Sequence, residues 1–393
     1  MIKIIIFILM FFPSLVFALG EPNVISKNVV IYDMTDDKVL YEKNITDKTN
    51  IASLTKIMTT ITAIETINDI DRKIIITDDI LKLVRWDASI AGLKVGDELS
   101  YKDLLYASIL PSGADATIAI AVSSCGSIEK FVEKMNDLAR RIGMNNSNFV
   151  NVTGLDEDNH YSNVNDILTL LKYSLKNELF KEIYTTSEYY LSNGKLVRST
   201  ISSYNKKLNI DTSRILGSKT GYTLGAKLCI SVYFESDGHE MILITLGADR
   251  INGKPYNIID AMELISYVDD NYNNYEIVHK DMVVKEIEVL DSKISKYLVR
   301  TNDNVTLFLP IDYDKNKVTI EYEGLDSLSY KNKVNDKIGI IKYYYGDELI
   351  SSDDVLLGQD IKIDYFKVIS RYKVLIFLII VLFIVIVARR FVK

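Results

Sequence analysis

Three short segments, far apart in the chain, carry groups that make chemical sense only side by side: Ser53-Leu54-Thr55-Lys56, Ser112-Gly113-Ala114 and Lys219-Thr220-Gly221. Together they offer a hydroxyl to attack, two amines that can share a proton, and a second hydroxyl to relay it. Serine alone is a poor nucleophile at neutral pH and needs a neighbouring base. A fold that unites these segments must bring an early helix, a middle turn and a late strand to one place.

Each segment is weak evidence by itself. Ser-x-x-Lys recurs in the chain, among other places at Ser53, Ser127, Ser192 and Ser203. Only Ser53 opens an apolar helical stripe, formed by Ile57, Met58, Ile61, Ile64 and Ile67. Three residues apart on a helix, Ser53 and Lys56 share a face, and the helix N-terminus favours negative charge developing at Ser53. Ser127 begins a helix whose Lys130, Glu133 and Lys134 form a solvated face, and Ser192-Asn193-Gly194-Lys195 has the composition of a turn.

The pattern resembles the penicillin-binding and serine β-lactamase superfamily, whose signature is Ser-x-x-Lys, Ser-x-Asn and Lys-Thr-Gly. Within it the chain looks most like the low-molecular-mass D-alanyl-D-alanine carboxypeptidases. Further stretches carry that resemblance: Ile51 to Thr59, Leu110 to Ala116, Thr153-Gly154-Leu155-Asp156 with His160-Tyr161-Ser162, and Gly217 to Thr223. One departure stands out, since Ala114 occupies the place of the usual asparagine. That amide would hold the substrate backbone and the catalytic lysine. A second candidate, Ser203-Tyr204-Asn205, satisfies Ser-x-Asn but lies close to Lys219 and is read as a position beside the cleft.

The resemblance implies an α+β fold, with an antiparallel sheet flanked by helices and a helical lobe. It assigns Ser53, Lys56 and Ser112 as catalytic and places Lys219, Thr220, Gly221 and Tyr222 against substrate. Backbone N–H groups of Ser53 and Tyr222 would hold the oxyanion. The implied substrate is the peptidoglycan stem peptide ending in D-Ala-D-Ala, and β-lactam antibiotics would acylate the same serine. The nearest rivals are a β-lactamase or transpeptidase, or a wall-binding protein that lost turnover with the asparagine. No Glu-x-x-x-Asn segment stands between Asp156 and Lys181, where a class A lactamase would carry its deacylating glutamate.

Composition excludes other classes. With 46 Lys+Arg against 53 Asp+Glu, the chain lacks the basic surface that nucleic acid requires. No phosphate-binding glycine loop or dinucleotide fingerprint is present, so no cofactor is implied. His160, His239 and His279 are widely spaced and no His-Glu-x-x-His helix occurs, which argues against a metal. Cys125 and Cys229 could pair in an exported protein, but their apolar surroundings favour two small core residues.

Both ends carry membrane addresses. Residues 1–18, with Lys3, an apolar run from Ile4 to Phe12, and Val16-Phe17-Ala18, read as a secretory signal peptide. Near the other end Val374 to Ala388 is uncharged, flanked by Tyr372 and Lys373 and by Arg389, Arg390 and Lys393. Its 15 residues reach about 22 Å, short of a ~30 Å hydrocarbon core, but flanking side chains can snorkel. Residues 372–390 are therefore expected to anchor an exported body to the outer face of the bacterial cytoplasmic membrane, basic end inside.

Between these ends, strands at Val29 to Tyr41 and from Leu228 to Leu246 enclose a run of helices, an order that predicts a sheet built from both halves of a catalytic domain over 19–272. Asp269 to Tyr275 reads as a polar linker. From 279 to 365, short β runs predict a small β-sandwich, either a spacer or a partner-binding surface.

Overall fold

The computed structural model describes residues 20–202, 204 and 210–391. The expected signal peptide therefore lies outside the described residues, as do Ser203 and Asn205. The chain divides into two compact units, with the boundary between Asn271 and Tyr272.

The first unit is built on a five-stranded antiparallel sheet. Its strands are β1 (Asn28–Asp33), β2 (Lys38–Lys43), β3 (Ile215–Thr223), β4 (Lys227–Ser236) and β5 (His239–Ala248), in the order β2-β1-β5-β4-β3. Thus β1 pairs with β5 from the far end of the unit, Val30 opposite Ile244. β3, which carries the third motif, is left at the edge with only β4 beside it.

Helices fill the span between β2 and β3, and one more follows β5. The longer ones among the described residues of this unit are α1 (Thr55–Thr66), α2 (Tyr101–Ile109), α3 (Ala114–Cys125), α4 (Ile128–Ile142), α5 (Val164–Ser174), α6 (Glu178–Thr185) and α7 (Tyr256–Asn271). Their boundaries follow local chemistry. Ser100 caps α2 in a capping box with Asp103. Gly143, at φ 91°, closes α4 in the left-handed conformation that glycine tolerates. Asn163 caps α5 by accepting from the Asp166 N–H, while the Ser162 hydroxyl meets Ser147. α3 is buried along most of its length, and with Ile57, Met58, Ile61, Leu104 and Leu105 it forms the core on which the nucleophile helix rests.

The polar run expected to be a linker is regular structure. α7 continues to Asn271, with Asp269 held by Arg214 and Ser236, and a strand begins at Tyr272.

Among the described residues the second unit is mainly β, with a 3₁₀ turn at Lys315–Lys317 and helices towards its C-terminal end. Its strands are β6 (Tyr272–Val278), β7 (Val283–Leu290), β8 (Lys296–Arg300), β9 (Val305–Pro310), β10 (Val318–Gly324), β11 (Ser327–Ser329), β12 (Lys337–Tyr345) and β13 (Glu348–Leu356). They form three small sheets, β6-β9, β8-β7-β11 and β10-β12-β13, around a core that includes Val278, Ile287, Val299, Ile341 and Tyr343. A helix at Lys373–Phe391 holds the apolar run. Among the described residues, no helix is long and apolar enough to cross a membrane.

Candidate active site

The nucleophile segment is built under strain. Ala52 sits at φ 46°, a left-handed conformation that non-glycine residues rarely adopt. The 3₁₀ turn Ala52–Leu54 then leads directly into α1, so Ser53 stands at the helix entrance, half-buried. One turn on, Lys56 is 2% exposed, and its Nζ donates to Ser53 Oγ at 3.0 Å and to the Thr153 carbonyl at 2.7 Å. Burial lowers the Lys56 ammonium to about 7, with the Asp115 carboxylate acting in the opposite direction.

Lys219 comes from β3 and is 1% exposed. Its Nζ donates to the Thr220 carbonyl at 2.8 Å. Burial first, and the charge of Lys56 second, hold it well below the ordinary lysine range. The two amines therefore compete for charge. The strand approaches closely: a Cβ on Gly221 would lie 2.9 Å from both the Ser53 backbone nitrogen and Ala52 Cβ. Only glycine lets the third motif run flush against the first. Tyr222, one residue on, is half exposed at the rim.

The second motif turns sharply. Ser112 adopts φ 62°, and its buried Oγ has no hydrogen-bond partner. Ser112, the hydroxyl expected to relay the proton, thus bridges neither lysine; Lys56 is occupied by Ser53 and Thr153, and Lys219 by its own strand. At Gly113 a Cβ would meet Ala107 O at 2.6 Å and Ala91 Cβ at 2.8 Å, so the turn admits no side chain. Asp115 follows. It accepts from the backbone N–H groups of Ala91 (2.8 Å), Gly92 (2.8 Å) and Leu93 (2.9 Å), pinning that loop beside the motif. Ala114 is completely buried.

A fourth wall is the loop from Asn151 to His160. Three side chains of α1 dock it: Lys56 on the Thr153 carbonyl, Thr59 Oγ1 on the Val152 carbonyl (2.9 Å), and Thr55 Oγ1 against His160 Nε2 (2.8 Å). Because Val150 N–H donates to His160 Nδ1, the ring proton is assigned to Nε2 and points at Thr55. Burial depresses His160 to about 4, so the ring is neutral and structural. Asp156 ties the loop to the end of β3, accepting from Thr223 Oγ1 (2.7 Å) and Gly225 N–H (2.9 Å).

The other Ser-x-x-Lys serines do different work. Ser127 caps α4, and Ser192 donates to Asp103 at 2.6 Å. A cavity of about 740 Å³ opens beside the start of β3, between Tyr184, Arg198, Ser199, Gly217 and Ser218. Sequence reasoning missed the association of Asp33, Asp36 and His239, whose ligand atoms lie within 4.8 Å of one another. It joins the β1–β2 and β4–β5 turns, and His239 Nδ1 is 3.0 Å from Asp33 Oδ2. Cys125 and Cys229 are free thiols, Cys229 fully buried.

Comparison with known proteins agrees with this geometry. The family described as D-alanyl-D-alanine carboxypeptidase (peptidase S11) matches residues 16–250, and the domain described as penicillin-binding protein 5, C-terminal domain, matches 272–363. The D-alanyl-D-alanine carboxypeptidase DacF of Bacillus subtilis is 27% identical over 341 residues, covering 86% of each chain. Among solved structures, penicillin-binding protein 5 of Haemophilus influenzae shares the fold, with a TM-score of 0.63 at 20% identity over 88% of this chain and 99% of that one. The Streptomyces K15 DD-transpeptidase superposes with a TM-score of 0.56 at 26% identity, over 63% of this chain and 98% of its own. With the family match spanning more than half of its residues and Lys56 bonded to Ser53, the chain belongs to the D-alanyl-D-alanine carboxypeptidase family of serine peptidases.

Proposed function

We propose that this chain hydrolyses the bond between two terminal D-alanines of the peptidoglycan stem peptide through an ester on Ser53. The observation that carries the reading is Lys56: a buried amine, lowered to about 7, with its nitrogen 3.0 Å from the serine oxygen. Neutral Lys56 takes the Ser53 proton as Oγ bonds to the carbonyl carbon. The developing oxyanion faces the Ser53 and Tyr222 N–H groups, roles carried over from the family resemblance. Lys219 and Thr220 receive the terminal carboxylate. That anion favours a charged Lys219, whose field in turn keeps Lys56 neutral. Collapse breaks the C–N bond, and the proton passes from Lys56 to the departing D-alanine, a relay that the family resemblance assigns to the Ser112 hydroxyl. Water then hydrolyses the ester and restores Ser53.

β-Lactams enter the same route, because their strained amide presents a carbonyl to the same hydroxyl. Ala114 removes one amide contact to the substrate, a loss worth about 1–3 kcal/mol, which slows this chemistry without abolishing it.

An exported body tethered by its C-terminal helix is the matching location. Its support is the uncharged run Val374–Ala388 between Tyr372-Lys373 and Arg389-Arg390. No described helix is long and apolar enough to cross an ordinary bilayer, so this tether requires local thinning of the bilayer and flanking side chains that reach for the interfaces.

The test is release of D-alanine from a synthetic pentapeptide ending in D-Ala-D-Ala, together with labelling by a fluorescent penicillin. Both should occur and both should vanish in Ser53→Ala. Labelling without D-alanine release would assign the chain to the penicillin-recognising proteins that lack this hydrolysis.

A further inference from the structure

Lys56 must point its lone pair at Ser53, yet the second motif supplies no side chain to hold it. Ala114 offers only a buried methyl. What holds Nζ instead is a backbone carbonyl, that of Thr153, at 2.7 Å, closer than the serine oxygen at 3.0 Å. A loop carbonyl can orient an amine only if its peptide plane is fixed.

That plane is fixed from its other side. The Thr153 C=O and the Gly154 N–H belong to one planar trans peptide and point in opposite directions. Asn151 Oδ1 accepts from this Gly154 N–H at 2.7 Å, so the carbonyl is turned away from Asn151 and towards Lys56. The same oxygen accepts from Thr153 N–H (3.1 Å) and Thr153 Oγ1 (3.2 Å). Asn151 Nδ2 donates onward to Leu155 O (3.0 Å) and Glu157 Oε2 (3.1 Å), bracing the far side of the turn. Gly154 sits at φ 83°, where a Cβ would fall 1.9 Å from Ala52 O, so the loop lies flush against the nucleophile turn.

We infer that Asn151 is a positioning residue for Lys56: by clamping the Thr153–Gly154 peptide it aims the carbonyl that steadies Nζ at Ser53, a task that an amide at position 114 would otherwise share. The inference rests on the acyl-enzyme reading above. The charged and titratable groups facing Lys56 are Asp115 from α3 and Lys219 from β3, with neutral His160 on the same loop.

The test compares the full-length wild type with Asn151→Ala, Asn151→Asp and Ala114→Asn/Asn151→Ala. Three quantities are read: the rate of Ser53 acylation by fluorescent penicillin against pH, KM and kcat for pentapeptide, and the thermal midpoint as a fold control. A lost orienting contact should lower the Asn151→Ala acylation rate and kcat at least about tenfold, with KM changed less than about threefold. Asn151→Asp keeps an acceptor oxygen, so its plateau rate should stay within about threefold of wild type. Its acid limb should move to higher pH, because an added carboxylate favours the Lys56 ammonium. The double variant should regain a substantial part of the loss. Wild-type rates in Asn151→Ala, or equal losses in the alanine and aspartate variants, would overturn the inference.

A second readout separates it from the functional reading. The ¹³Cε signal of Lys56, assigned with Lys56→Arg, should titrate at higher pH in folded Asn151→Ala than in wild type, as water reaches the ammonium. An unmoved midpoint rejects the positioning role. A moved midpoint in a protein that neither binds penicillin nor releases D-alanine keeps the positioning role and removes the enzyme assignment.

Discussion

Gly221 and Ser53 lie so close that a single methyl on Gly221 would stand 2.9 Å from the Ser53 backbone nitrogen. This approach joins the edge strand to the nucleophile turn and sets the width of the cleft floor.

Gly221→Ala should therefore push β3 away from the turn. The atoms met are backbone and Ala52 Cβ, which cannot swing aside as a flexible side chain would. Overpacking of this kind costs about 1–3 kcal/mol. The displaced Lys219 and Tyr222 should cut penicillin acylation by about 100-fold or more. Stopped-flow acylation and urea melts check both numbers, and wild-type acylation would show that the strand is not held by this contact.

Lys56→Met should abolish acylation yet stabilise the fold at pH 7. A buried lysine lowered to about 7 binds fewer protons folded than unfolded between about pH 7 and its ordinary value near 10.5. Stability of the wild type therefore rises with pH across that window, and its deficit is largest at and below pH 7. The substitution should gain about 1–2 kcal/mol at pH 7, a gain that shrinks as pH approaches 10. Denaturant titrations at pH 6, 8 and 10 read the trend. A gain that grows with pH would place Lys56 in a different protonation regime.

Asp115→Asn tests the opposing charge. The carboxylate raises Lys56 against the effect of burial and receives three N–H groups of the loop from Ala91 to Leu93. Removing its charge should move the acid limb of acylation to lower pH. Charged acceptors are worth about 1.5–3 kcal/mol each, and the amide retains part of that, so a loss of about 2–3 kcal/mol is expected. An acid limb shifted upward would contradict the stated electrostatics.

Much of this was legible in the sequence where local chemistry decides. The stripe from Ile57 to Ile67 announced α1, and the first motif named Ser53 and Lys56, whose side chains meet. What stayed hidden depends on tertiary placement. Tyr272 to Tyr275 looked like a linker because asparagines and tyrosines carry no clear alternation, yet pairing with β9 makes it a strand. The short helix α6 lacked a boundary signal strong enough to read, although Asn177 caps it. The clamp of Asn151 on Gly154 could not be foreseen, since side-chain-to-backbone bonds of this kind have no pattern beyond a loop-forming residue. Nor was it legible that Ser112 would stand without a partner while Lys56 turns to a carbonyl.

The pairing of β1 with β5 has a consequence for biogenesis. The first strand to leave the ribosome can pair at once with β2, but its other partner, β5, is complete only after Ala248 has been made, and Lys219 has no sheet to ride on before β4 is complete. A nascent or truncated chain holding Ser53 and Lys56 is thus chemically mute, and the hydrolase arms itself only once its whole catalytic half is free to close.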